Sequence, residues 1–328
     1  MNLNKINLEK IDKIYKDNFS IIHNDFMIYQ SKFILEIYSR CKSDLDCGNI
    51  VLFFAQNLHR NILHHRDNDL DYDISFESFW EKNKNISQKN YSIIDVANAT
   101  GLPRETARRK IQLLIKEKIL LKQNTKVFWK PHESIKDNYL KVTDFHVSNL
   151  LNHIQVINNF LGLQLDNNFL KKEIFNNFSF YYYHYLKSHR NYLNIWQKKF
   201  QDLELFVIAQ ECIILANRQF LNNRTKLEEH FFLKKNLHFV ENISISASTI
   251  SEITKIPRAT CIRKLKILLQ LKIIKKDEIS KKYSLSPKTY FNALGVKEIL
   301  KETTKLSVDF YLVIINALIR SKKISLKE

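Results

Sequence analysis

Apolar residues recur at three- and four-residue spacing over Phe26–Tyr38 and again over Ile50–Leu63, which predicts two amphipathic helices. A polar, acidic stretch follows from Asp67 to Lys89. Ser92-Ile93-Ile94-Asp95 then has the form of an N-cap with an acidic partner three positions on, opening a short helix through Val96 to Ala99. Gly101 supplies a left-handed end to that helix, and Pro103 suits the first turn of the next, which runs to about Lys118. In this second helix Ala107, Ile111 and Leu114 share one face, while Arg104, Glu105, Arg108, Arg109 and Gln112 point away. Two short runs, Ile119–Lys122 and Lys126–Trp129, flank Gln123-Asn124-Thr125 and predict a hairpin. A further helix is expected over about Asp144–Leu161.

The same string of elements occurs twice. With a shift of 154 residues, Thr100-Gly101-Leu102-Pro103-Arg104-Glu105-Thr106 falls on Thr254-Lys255-Ile256-Pro257-Arg258-Ala259-Thr260, and Arg109-Lys110-Ile111 falls on Arg263-Lys264-Leu265. Ala55-Gln56 pairs with Ala209-Gln210 at the same shift. Pro103 and Pro257 lie 154 apart but Pro131 and Pro287 lie 156 apart, so two residues are inserted between them, and a hairpin tip tolerates that best. The expected division is therefore 1–168 and 169–328, with helix-turn-helix segments at about 92–118 and 246–272 and hairpins at about 119–130 and 273–285. Lys255 stands where Gly101 stood, and a lysine at positive φ costs about 1 kcal/mol, so the second turn is expected to be looser or differently shaped.

Composition narrows the class. Four Gly and four Pro in 328 residues are too few for a fold built on many tight turns, so a mainly α protein is expected. The net charge of +18 is unevenly spread: residues 101–130 hold nine basic and two acidic residues, although residues 1–170 as a whole hold 23 against 20. That focus suits a nucleic-acid footprint. Cys41, Cys47, Cys212 and Cys261 show no metal spacing and read as small core residues of a reduced, cytoplasmic protein. Charges throughout residues 1–20 predict no signal peptide, and the longest apolar run, Val308–Ile319, is too short to span a bilayer and reads as a buried helix.

The major groove of B-DNA admits one helix whose first turns carry donors and whose back is apolar. Arg104 and Arg258 lie in such first turns, Arg109 and Arg263 one to two turns on, and Thr106 and Thr260 add short hydroxyls. The candidate DNA contacts are thus Ser92, Arg104, Glu105, Thr106, Arg108, Arg109, Lys110, Lys122 and Lys126 in the first copy. In the second they are Ser246, Arg258, Thr260, Arg263, Lys264, Lys266, Lys276, Lys281 and Lys282. The stretch from Thr100 to Lys110 resembles the helix-turn-helix of bacterial winged-helix regulators such as the MarR, IclR and GntR families. That resemblance implies two tandem winged helix-turn-helix units with flanking helices in a pseudo-two-fold arrangement, a covalently fused pseudo-dimer. Its expected partner is double-stranded DNA, its role transcriptional regulation, and its place the cytoplasm and nucleoid. Half-sites about 10 base pairs apart are expected, and unlike in sequence because Glu105/Ala259 and Arg108/Ile262 differ.

Other chemistries are weaker. Asp67–Asp73 offers no register with both the central Gly and the terminal Glu of a calcium loop, and His59, His64 and His65 lack the spacing of a metal pair. No phosphate-binding or nucleophile-elbow glycine motif occurs, so neither an enzyme nor a cofactor is expected. Phe178, Phe180, Tyr181, Tyr182, Tyr183 and Tyr185 read as an aromatic core where the two units meet, with an effector pocket as the alternative. A plasmid or phage replication initiator with tandem winged helices, and a winged-helix protein-assembly module, remain the rival functions; monomer and homodimer both stay open.

Overall fold

A computed structural model describes residues 5–68, 74–130, 132–222, 226–229, 244–286 and 296–325. The protein is mainly helical, with two small antiparallel sheets among the described residues. In chain order the helices are α1 (Leu8–Asp17), α2 (Phe19–Arg40), α3 (Leu45–Asn68), α4 (Phe76–Lys82), α5 (Ile93–Thr100) and α6 (Arg104–Lys116). Strands β1 (Leu120–Gln123) and β2 (Lys126–Trp129) follow, then α7 (Lys136–Leu161), α8 (Asn167–Asn176), α9 (Phe178–Phe200) and α10 (Leu203–Asn222). The chain continues with β3 (Ser244–Ile245), α11 (Ala247–Thr254), α12 (Arg258–Gln270), β4 (Ile274–Lys276), β5 (Tyr283–Leu285) and α13 (Val296–Ser325). Among the described residues no helix is long and apolar enough to cross a membrane. Pro131, Pro287 and most of the acidic stretch around Asp69–Asp73 lie outside the described residues.

Two compact units form, and they are not the two halves of the sequence. One comprises Met1–Lys5, Asp44–Asn194 and Val313–Glu328; the other comprises Ile6–Ser43 and Ile195–Leu312. The expected boundary at 168/169 therefore falls inside the first unit. The reason lies in a part of the repeat that the shift of 154 does not capture. Helices α1 and α8 are each ten residues long, capped by Asn7 and Asp166, whose side chains accept from the backbone N–H of Lys10 and Phe169. Both end at an asparagine whose N–H returns to a helical carbonyl, Asn18 to Ile14 and Asn177 to Glu173, and both lead into a long helix starting Phe-Ser. Asn18-Phe19-Ser20 and Asn177-Phe178-Ser179 match 159 residues apart. So α1–α2 and α8–α9 are corresponding pairs, yet α1–α2 belongs to the unit that holds α10–α12, and α8 with the front of α9 to the unit that holds α3–α6. Each unit thus combines opening helices from one half of the sequence with the helix-turn-helix segment of the other.

In the first unit the aromatic run of α9 fills the core. Phe178, Tyr181, Tyr182 and Tyr185 are buried, His59 of α3 stacks on Phe79 with ring centroids 4.8 Å apart, and Nδ1 of His146 meets the Tyr182 hydroxyl at 2.8 Å. Phe178, Tyr182 and Tyr185 pack within one unit, on α3, α4 and α7, and the Tyr181 hydroxyl donates to Glu173 of α8, whereas Phe180 borders a surface pocket with Val313, Asn316 and Arg320. In the second unit α2 packs along α10, where Gln210 Nε2 donates to the carbonyl of Met27 and Ser31 Oγ donates to the Glu211 carboxylate. Burial raises the Glu211 pKa. Tyr29 and Phe310 meet at 5.9 Å, and Trp196 stacks on Phe206 at 4.7 Å. Cys47, Cys212 and Cys261 are buried, and the segment Val308–Ile319 lies in α13 with Tyr311, Ile314, Ile315 and Leu318 fully covered.

Candidate nucleic-acid interface

Each unit carries a short helix, a turn, a second helix and a hairpin, held by the same local devices. Ser92 caps α5 in a reciprocal box: its Oγ accepts from the Asp95 N–H at 3.2 Å, and its own N–H donates to the Asp95 carboxylate at 2.7 Å. The Ser92 N–H holds the Asp95 carboxyl below the usual carboxylate range. Ser246 caps α11, its Oγ accepting from the Thr249 N–H at 3.0 Å. Both serine hydroxyls, expected as DNA contacts, are thus engaged at helix ends. Gly101 ends α5 at φ 71°, ψ 13°, and Lys255 ends α11 at φ 61°, ψ 8°. The two turns have the same shape, so the looser second turn expected from the Gly-to-Lys difference is not found. The shared packing of the two helices dictates the left-handed residue, and the lysine conforms.

After Pro103 and Pro257, α6 and α12 each run 13 residues. Ala107, Ile111 and Leu114 are buried in α6, and Cys261, Leu265 and Leu268 at the matching positions of α12. Behind them stand α3 and α10, whose N-termini are capped by Asp44 and Asp202 through the N–H groups of Cys47 and Leu205, both at 3.0 Å. To these aspartates come Lys110 and Lys264. Both lysines were expected to face DNA; both are instead tied inward, their side chains only 15% and 11% exposed. The physical reason is helical phase. Lys110 sits three residues after Ala107 and four before Leu114, on the packed stripe rather than opposite it. Asp44 and Asp202 lie 158 apart, so the Ala55-Gln56 and Ala209-Gln210 match stands at different distances from the two caps.

The remaining cations divide clearly. Arg104, Arg109, Arg263 and Lys266 are exposed and make no ion pair among the described residues. Arg258 is also exposed, its Nε donating to Ser248 Oγ at 3.1 Å. Arg108 is held by Glu105, which lies one turn earlier on the same exposed surface; that pairing lowers the Glu105 pKa. Thr106 and Thr260 are half-buried.

In the hairpins, Leu120 pairs with Trp129 and Gln123 with Lys126, leaving Asn124-Thr125 as the tip, with Asn124 at φ 53°. Lys122 and Lys126 are exposed. The second hairpin pairs Ile274 with Leu285 and Lys276 with Tyr283, and its tip, Asp277–Lys282, is two residues longer than the corresponding 123–126. The insertion read from the proline spacing falls there. Tyr91 bridges Val127 in the first unit as Ile245 pairs with Tyr283 in the second, so both hairpins bond to the residue just before the short helix. Lys276 is half-buried, Lys282 is exposed, and Lys281 pairs with Glu278 at 3.2 Å.

One supporting residue has no signal in the local sequence. Arg190 of α9 donates to Gln56 Oε1 at 2.8 Å and to the Ala99 carbonyl at 3.1 Å, with its guanidinium 4.9 Å from the Phe53 ring. It thereby ties the C-terminal end of α5, where a cation is electrostatically favoured, to α3. No family model, curated protein or solved structure matches the chain.

Proposed function

We propose that the two helix-turn-helix-hairpin segments are winged helix-turn-helix modules, and that the protein binds double-stranded DNA through both and regulates transcription as a fused pair. One observation carries the reading. At corresponding positions of α6 and α12 the arginines, Arg104/Arg258 and Arg109/Arg263, stand exposed, whereas the neighbouring lysines, Lys110/Lys264, are consumed as internal struts. Helical phase decides which of these positions face outward, but a surface that only kept the protein soluble would not need arginine at both outward positions of two copies that differ at Glu105/Ala259 and Arg108/Ile262. Guanidinium groups in the first two turns suit bidentate bonds to guanine and charge-assisted bonds to phosphate. Lys122, Lys126, Lys276, Lys281 and Lys282 on the hairpins would lie near adjacent backbone or minor groove, with Lys266 on the flank of its helix.

Selection of sites from a random duplex pool, followed by binding titrations against salt, tests this. Affinity should fall steeply and log-linearly with salt, because neutralised phosphates release counterions. Arg104→Ala and Arg258→Ala should each relax base preference in one part of the selected site only. Salt-independent binding, or no enrichment of duplex, overturns the reading; uniform weakening on all sequences reassigns that arginine to phosphate.

A further inference from the structure

The longer tip of the second hairpin carries one residue that its protein surroundings do not account for. Ile279 is 95% exposed, whereas the next most exposed large hydrophobic residue among those described, Ile324, is at 51%. The tip is not a loose excursion. Asp277 accepts the Ser280 N–H on Oδ1 at 2.6 Å and the Lys281 N–H on its carbonyl at 2.9 Å, and its own N–H donates to the Lys282 carbonyl at 2.9 Å. Lys281 takes φ 57° to complete the turn. This closed turn holds the Ile279 side chain outward from the protein. The acidic neighbours do not oppose an anionic partner strongly: Asp277 is occupied by the turn, and Glu278 is paired with Lys281. Lys276 and Lys282 stand at the two ends of the tip. The first hairpin has only Asn124-Thr125 at its tip, so the two-residue insertion and the exposed isoleucine occur together.

We propose that Ile279 is an apolar wedge that enters the minor groove of duplex DNA and opens a base step, seated by Lys276 and Lys282 on the flanking phosphates. The inference rests on the DNA-binding reading above. An aliphatic side chain between base pairs is a known way to unstack a step and bend the duplex, and pyrimidine–purine steps yield most easily. A β-branched residue serves well, because its χ1 is already restricted and little freedom is lost on insertion. Polar Asn124-Thr125 cannot do this, so only the second unit would bend its DNA.

The test uses the full chain and a 40-base-pair duplex selected by it from a random pool, with fluorophores at both ends and 2-aminopurine at TA and CA steps. Wild type should shorten the end-to-end distance and brighten one 2-aminopurine position. Ile279→Ser, at a site with no packing to lose, should abolish both signals and weaken binding about tenfold, the scale of one buried aliphatic side chain less its unstacking cost. The salt slope should stay unchanged, because no phosphate contact is removed, and Ile279→Phe should keep the bend. An Ile279→Ser protein that bends and binds this duplex as wild type does overturns the wedge while leaving DNA binding intact. A change in self-association without a change in bending overturns it too. If wild type shows no salt-dependent duplex binding, the functional reading fails and the wedge with it.

Discussion

The two units share their scaffolding and differ in what they bury and what they present. Both keep a serine-capped short helix, a left-handed residue at its end, a lysine–aspartate strut behind the second helix and a bridge from the hairpin to the residue before the cap. They diverge in the core and on the outer face. The first unit buries His59, His146, His153 and His189 and most of His184; among the described residues the second buries only His23. On the outer face the first has the Glu105–Arg108 pair where the second has Ala259 and Ile262. What is retained fixes helix geometry; what has drifted is the buried histidine content and the charge of the outer face.

The largest expected difference is in acid. Burial lowers the pKa of His59 to about 3, of His184 to about 4 and of His189 well below the ordinary 6.5; in the second unit His23 is lowered to about 4. Each folded-state pKa lies below the unfolded one, so the unfolded chain binds more protons once the pH drops under about 6.5. The stability these neutral histidines allow is present above pH 6.5 and is lost as pH falls toward the folded values, at up to about 1.4 kcal/mol per pH unit for each histidine. With three such groups against one, hydrogen exchange at pH 7 and pH 5 should show the first unit, and not the second, losing protection first. Equal loss in both would mean that the buried histidines do not decide acid stability.

The struts come next. Lys264→Met leaves Asp202 and Glu204 without their cation in a half-buried setting, and should cost about 2 kcal/mol in denaturant unfolding. Lys110→Met leaves only Asp44 and should cost less. Adding Asp202→Asn to Lys264→Met should recover part of the loss, because the stranded charge goes. If either single variant is as stable as wild type, the strut is ornamental.

At the matched turns, Lys255→Gly should stabilise by about 1 kcal/mol, and Gly101→Lys should destabilise by a similar amount, since both positions hold φ near +65°. A null result at Lys255 would show that its side chain contributes something that offsets the strained φ.

These effects also mark where the sequence was readable. The short helix, its cap and the second helix were legible because their signals are local: Ser92 with Asp95, Gly101, Pro103, and the stripe Ala107, Ile111, Leu114. The hairpin insertion was legible from two proline spacings. The pairing of α1–α2 with the later helix-turn-helix, and of α8 with the earlier one, was not, because that part of the repeat matches at 159 rather than 154 and rests on little beyond Asn-Phe-Ser, without proline or glycine to mark it. Lys110 and Lys264 turn inward because their helical phase puts them on the packed stripe, which the count of charges along the chain does not register. Arg190 acts on Ala99 and Gln56 from far along the chain, and only the folded unit brings them together.

The smallest expected effect is the one that best separates recognition from stability. Glu105 and Arg108 sit one turn apart on the exposed face of α6, and the carboxylate occupies the Arg108 guanidinium. Fully solvated helical pairs contribute little to stability, so Glu105→Ala, the residue already found at Ala259, should leave thermal unfolding unchanged. On DNA the same change removes a negative charge from the proposed reading face and frees Arg108 for phosphate or base. Affinity should rise by about threefold, with a steeper salt slope, and base preference should change only in the part of the site read by the first unit. Altered preference in the part read by α12 would mean that the two helices do not read separate stretches.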